Sequence, residues 1–358
     1  MRFVFKTRYQ QDINIWRHGG DLFWYGALLA ALVVLPALLS DFFINEIAAL
    51  FIWAVAGIGL MILVGFTGLI SLGHAAFLGI GAYCHAYLLS KGVPFLVAMP
   101  TAAIVTAAAG VAVGVPTLRM TGIYLAIATL AFAIIVEHVF ANWDSVTGGY
   151  NGLAVEPPDL FGYQLTASWE FYYLCLLVLI LVIWLAANLI RSPTGRALVA
   201  IRDSEISAQS IGVNLAKYKT IAFAVSAGIT GLGGALFAHY VQYLSPDAFN
   251  ILLSIQLVLM VVVGGVGSLH GAVFGAVFVG LLPQAIAIMR DYLPQQIATA
   301  AGLEPGIFGL VLVYVILLEP LGIYGRWMKI RFFFDLFPLY KKATFKRQKT
   351  YLKSERLR

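Results

Sequence analysis

The sequence predicts an all-α polytopic membrane protein with about ten transmembrane helices, on three observations. The 358 residues are 61% hydrophobic and 11% charged, with a mean hydropathy of +0.89; soluble domains carry roughly 25% charged residues. Two stretches, 47–90 and 248–289, run for 44 and 42 residues without a Lys, Arg, Asp or Glu. Of the 23 basic residues, 20 fall in three places: before the first apolar run (Arg2, Lys6, Arg8, Arg17), within 191–219, and from Arg326 onward. Positive loops stay on the cytoplasmic side, so all three places are expected there. That distribution accounts for the net charge of +6, and nucleic-acid binding is the weaker reading.

A helix needs about 20 apolar residues to cross a hydrocarbon core of about 30 Å. Leu22–Leu39 is the first such run; it shows no small-residue cleavage site and reads as a retained span rather than a signal peptide. The link 40–46 has acids and no base, which suits the outer face. At 1.5 Å per residue, 47–90 measures about 66 Å, or two crossings, broken at the glycine elbow 65–74 (GFTGLISLGH). Phe95–Val115 is the fourth span, ending at Pro116 beside Arg119, and Gly122–Ala141 the fifth. Residues 142–170 hold Asp144, Glu156, Asp159 and Glu170 with no base, and are expected outside. Phe171–Ile190 is the sixth span and Thr220–Gln242 the seventh. Residues 248–289 measure about 63 Å, again two crossings, with a second elbow at 264–270 (GGVGSLH). After a polar connection (291–304), Pro305–Tyr324 is the tenth. Ten crossings from a cytoplasmic start agree with the charges of every long connection; only Lys91 and Arg290 fall on the wrong side. Three regions result: an N-terminal segment 1–21, a transmembrane domain 22–325, and a basic tail 326–358 expected against anionic headgroups.

The two elbows are alike: an apolar helix, Gly-x-x-Gly (Gly65 and Gly68; Gly264 and Gly267), then Ser and His, then a small-residue helix. Glycine-interrupted segments at matching places in two halves of a transporter point to the substrate region; two ordinary turns are the plain alternative. Small-residue stripes at Thr106, Gly110, Gly114 and at Ala227, Gly231, Ala235 mark close helix contacts.

Enzyme chemistry is not written in the chain. It has no G-x-x-x-x-G-K-[ST], so no nucleotide is expected on it, and no H-E-x-x-H. Cys84 and Cys175 lie inside apolar runs and argue neither disulfide nor metal. His74 and His85 lack a third ligand, and neither Ser71 nor Ser268 sits in a Gly-x-Ser-x-Gly elbow. Ionisable residues inside spans are few, Glu137 and Glu319 near the ends. A proton- or sodium-driven carrier needs buried carboxylates near the midplane, so the driving force is expected from elsewhere.

Residues 191–219 (RSPTGRALVAIRDSEISAQSIGVNLAKYK) form the longest polar island between apolar runs, with five bases (Arg191, Arg196, Arg202, Lys217, Lys219) and two acids. Ser192 and Pro193 suit the cap and first position of a helix. A second start follows at Asp203 or Ser204, with Glu205 favoured by the helix dipole and Gly212 as the stop. A loop that only kept charge inside would need neither caps nor acids. The island is therefore expected to be two short amphipathic helices presented to a soluble partner.

Four stretches, GLISLGHAAFLGIGAY (68–83), TGIYLAIATLAFA with TGGYNGL (121–133, 147–153), EISAQSIGVN (205–214) and GGVGSLHGAVFGA (264–276), resemble the membrane permease subunit of bacterial ABC importers for branched-chain amino acids. The likeness spans most of 20–325. It implies a fold like that of the vitamin B12 importers and an importer with a second permease, two ATPase subunits carrying ATP and Mg²⁺, and a periplasmic binding protein. It implies that the island docks on the ATPase through Arg202, Asp203, Glu205, Ala208 and Gly212; Ser207 stands where the family commonly has alanine. The path is expected along Gly68, Ser71, Gly73, His74, Tyr124, Gly264, Gly265, Gly267 and Ser268, and the binding protein on Thr147, Gly148, Gly149 and Asn151. The expected location is the bacterial inner membrane, with both termini cytoplasmic. An uncharged path suits a zwitterion with an apolar side chain, and also urea or short amides. A secondary carrier or a channel, both working without an ATPase, are the rival functions.

Overall fold

The computed structural model describes residues 19–118, 120–160, 162–290, 302–318 and 321–336. The four N-terminal bases, Arg119, most of the connection 291–304, Glu319 and the tail beyond 336 lie outside the described residues. The helices are α1 (Gly19–Val34), α2 (Asp41–Met61), α3 (His74–Ser90), α4 (Phe95–Thr117), α5 (Ile123–Asn142), α6 (Asp144–Thr147), α7 (Ser168–Arg191), α8 (Pro193–Asp203), α9 (Glu205–Ser210), α10 (Leu215–Val241), α11 (Ile251–Gly264), α12 (Leu269–Arg290), α13 (Leu303–Leu318) and α14 (Gly322–Leu336). Two small antiparallel pairs join β1 (Leu153–Ala154) to β4 (Tyr243–Leu244) and β2 (Asp159–Leu160) to β3 (Tyr163–Gln164).

Seven helices among the described residues are long and apolar enough to cross a membrane: Asp41–Phe66, Phe95–Thr117, Ile123–Asn142, Ser168–Arg191, Leu215–Val241, Pro246–Gly264 and Leu269–Met289. Phe23–Ala37 and Pro305–Val315 are shorter apolar helices. The chain is thus an all-α, multi-pass membrane protein, with seven full-length spans and two shorter apolar helices among the described residues.

Two helices start five or more residues before their apolar runs. α2 begins at Asp41, so most of the acidic link 40–46 is helical, with Asp41 in the first turn at the positive end of the helix dipole. α10 begins at Leu215, because the Asn214 side chain accepts from the Lys217 N–H at 3.0 Å and caps the helix.

A helix apolar all round belongs in the interior, and α2 and α10 are the two most buried spans. α10 packs on α2, α3 and α4, and α2 also on α7 and α12. The two small-residue stripes meet: a Cβ on Gly110 would lie 2.6 Å from that of Ala227, and one on Gly231 2.7 Å from that of Thr106. The outer helices turn Ile104, Ile127, Ile135 and Leu177 outward, a face for lipid. The polar island lies at one end of the bundle and residues 142–167 at the other.

Candidate functional site

The island is two helices. The Ser192 hydroxyl accepts from the Gly195 N–H at 3.3 Å to start α8, whose Leu198 and Ile201 are buried together. Ser204 accepts from the Ser207 N–H at 3.2 Å to start α9. α9 ends in a Schellman turn: the Val213 N–H donates to the Ala208 carbonyl and that of Gly212 to the Gln209 carbonyl, both at 3.0 Å, with Gly212 at φ +90°.

The expected docking residues divide by direction. Ala208 is buried under α9. Glu205 is turned to α10, its Oε2 2.7 Å from Nζ of Lys219, a lysine only 3% exposed. Arg202 is turned to the elbows. Its Nη1 donates to the Gly65 carbonyl at 3.0 Å, while Nε and Nη2 hold the Asp203 carboxylate at 3.2 and 3.1 Å. Outward the island shows Ile206 and Ile211, 81% and 77% exposed, among exposed polar residues that include Asp203, Ser207, Gln209 and Lys217. An open groove lined by Leu118, Gln209, Gly212, Val213, Asn214 and Leu215 lies beside them.

The elbows differ in build. At the first, α2 widens into a π-turn over Ile62–Phe66, and the chain runs irregularly to His74. Inside it a buried chain of hydrogen bonds has one polarity. Ser226 donates to the Gly59 carbonyl at 2.7 Å and so accepts from His74 Nε2, also at 2.7 Å, leaving Nδ1 to accept from Ser71 at 2.9 Å. The Leu72 N–H donates to Thr129 Oγ1 at 3.0 Å and the Ala75 N–H to Ser254 Oγ at 3.1 Å. Gly73 lies so close to Thr129 that a Cβ there would overlap its carbonyl.

The second elbow is a tight turn with Gly265 and Gly267 at φ +116° and +88°. Ser268 starts α12 by accepting from the Gly271 N–H at 3.2 Å. Gly264 packs against Gly271 and Gly275 of α12, and Gly265 against Leu321. His270, the counterpart of His74, accepts or donates to Tyr25 Oη at 2.7 Å and stacks on Tyr324, tying α1 and α14 to this elbow. The elbows touch each other, since a Cβ on Gly65 would lie 2.8 Å from the Gly267 nitrogen, whose N–H donates to Met61 Sδ of α2 at 3.3 Å. Of the expected path, Ser71, His74 and Ser268 are thus buried around this junction, whereas Tyr124 stands 75% exposed on α5.

At the far end, Thr147 is buried and donates to the Phe140 and Trp143 carbonyls at 2.7 and 2.8 Å. Gly148 and Gly149 follow at φ +75° and +57°, and the Asn151 carbonyl accepts from Tyr243 Oη. A buried pair, His85 and His239, meets through Nε2 at 2.8 Å, and His239 Nδ1 donates to the Glu156 carbonyl at 2.9 Å. Tyr163 donates to Glu170 at 2.6 Å, and that bond pushes its phenol pKa up. Trp143, Tyr150, Trp169 and Tyr243 are exposed around this surface.

Sequence reasoning missed Ser226, Thr129, Ser254 and His239, whose one local signal is a polar side chain inside an otherwise apolar run, and it counted Lys219 only as one of the island's bases.

A multi-pass bundle with two uncharged glycine elbows, and a capped polar platform tied to both, has the build of a membrane permease. Residues 42–318 match the family described as branched-chain amino acid transport system / permease component, and the chain belongs to that family. It is 34% identical over 302 residues to the high-affinity branched-chain amino acid transport system permease protein LivM of Salmonella typhimurium, covering 77% of this chain and 70% of that one. The Escherichia coli LivM is 33% identical over the same shares. The Salmonella typhimurium permease protein LivH is 26% identical over 293 residues, 76% of this chain and 91% of LivH. No solved structure matches the chain.

Proposed function

We propose that this chain is the permease subunit of an ATP-driven ABC importer and provides the path for leucine, isoleucine and valine delivered by a periplasmic binding protein. The importer has a second, related permease, and likeness to both LivM and LivH supports such a pair. Two ATPase subunits bind ATP and Mg²⁺; this chain binds neither. It lies in the bacterial inner membrane with both termini cytoplasmic. α1, α3 and α13 complete ten crossings with the seven long spans, in an architecture like that of the vitamin B12 importers.

The observation that carries this reading is the island. A capped, polar pair of helices that exposes Ile206 and Ile211 is a surface for a soluble partner, since buried apolar anchors dominate protein contacts. ATP binding closes the ATPase pair and moves the island. The elbows then part, and Ser71, His74, Ser268 and the elbow glycines line the opening. The binding protein docks on 142–170, including Thr147, Gly148, Gly149 and Asn151, among exposed aromatic residues. The same lining accepts urea or short amides, which is the second reading.

Vesicles holding the four-subunit complex, supplied with binding protein, are expected to take up labelled leucine only with ATP inside the ATPase compartment. Uptake by this chain alone, without an ATPase, would place it among carriers or channels. Calorimetric titration of the binding protein with leucine against urea decides the solute.

A further inference from the structure

We infer that Arg202 is a positioning residue that carries movement of the island into both elbows, and not a contact for the ATPase. This rests on the importer reading above. One arm of the guanidinium, Nη1, points into the membrane domain, while Nε and Nη2 face Asp203 on the exposed side and the side chain as a whole is 35% exposed. Its Nη1 bonds the Gly65 carbonyl at 3.0 Å, in the last turn of the continuous helix Asp41–Phe66. Carbonyls at a helix C-terminus lack intrahelical donors and sit at the negative end of the dipole, so a cation is held there doubly.

Both elbows make room for this side chain. A Cβ on Gly68 would lie 3.0 Å from Arg202 Cγ, and one on Gly267 3.1 Å from Nη1, and both glycines have positive φ. The Gly267 N–H is in turn bonded to Met61 of α2. Asp203 fixes the other side of the fork through Nε and Nη2. Lysine has no fork and cannot hold a carbonyl and a carboxylate in fixed directions at once. α8 is firm enough to act as a lever, being capped by Ser192 and continued into an α9 tied to α10 through Glu205 and Lys219. A shift of α8 therefore pulls on the end of α2, the helix in contact with α7, α10 and α12.

The test uses the whole importer with binding protein in vesicles, reading leucine uptake, ATP hydrolysis and the amount of ATPase subunit that co-purifies. Arg202→Gln is expected to keep its ATPase subunits and still hydrolyse ATP while uptake falls at least tenfold, so the ATP used per leucine rises at least tenfold. Arg202→Lys falls between. Loss of the ATPase subunits, a proportional fall of uptake and hydrolysis, or an unchanged ratio would each overturn the inference. Where Arg202→Gln depletes the chain from the membrane, Arg202→Lys and Asp203→Asn decide on the same ratio, and an unchanged value in both overturns it. Wild-type uptake without ATP overturns the importer reading itself; ATP-driven wild-type uptake with an unchanged variant ratio overturns only the role of Arg202.

Discussion

His74 has both ring nitrogens in use, between Ser71 and a Ser226 that lies 152 residues away and passes the bond on to Gly59. Phenylalanine fits the apolar surroundings but leaves the buried Ser71 hydroxyl without its acceptor. Such losses cost about 1–3 kcal/mol in general, toward the lower end inside membranes. His74→Phe is expected to lower the melting temperature of the detergent-purified chain, whereas an unchanged melt would show that the hydrogen-bond chain holds nothing together. Glu205 poses the opposite problem, because its partner Lys219 is almost wholly buried. Glu205→Arg sets two cations against each other at a half-buried site, a loss of about 2–3 kcal/mol, between the ranges for surface and buried pairs. Faster backbone hydrogen exchange over 205–213 is the expected sign; exchange at the wild-type rate would mean that the ion pair does not anchor α9.

Local chemistry decides the elements of the island, and this is why they were legible. Ser192-Pro193, Ser204 and Gly212 each act within a few residues, so their capping geometry follows from sequence order alone. The start of α10 was not legible, because the basic residues Lys217 and Lys219 look like loop. Asn214 caps the helix through Lys217, and Glu205 neutralises Lys219 from fourteen residues away. In the same way the elbow glycines stand out in the sequence, while the partners of Ser71 and His74 come from helices that only the packed bundle brings near. Gly212 offers the sharpest test at this scale. At φ +90° it suits glycine, an alanine there costs about 1–2 kcal/mol, and proline, fixed near −65°, cannot adopt it. Proline also removes the N–H that bonds Gln209. Gly212→Ala is expected to keep most ATP-driven uptake and Gly212→Pro to abolish it with the chain still in the membrane; equal uptake by both would show that the turn does not matter to coupling.

For the whole molecule, the island and residues 142–167 occupy opposite ends of the bundle, and α7 runs the full distance between them. Charge parity predicts the island on the cytoplasmic side, because the surrounding apolar stretches carry almost no other charge to oppose it. The bundle itself has no preferred direction, so the orientation has to be measured. Tyr150 and Gln209 are exposed, one at each end, and the chain's two cysteines, Cys84 and Cys175, can be replaced by serine to give a clean background. In right-side-out vesicles, Tyr150→Cys is expected to react with a membrane-impermeant thiol reagent, and Gln209→Cys only after the membrane is opened. The reverse pattern would put the island outside, beyond reach of a cytoplasmic ATPase, and would remove the importer mechanism while leaving the fold untouched.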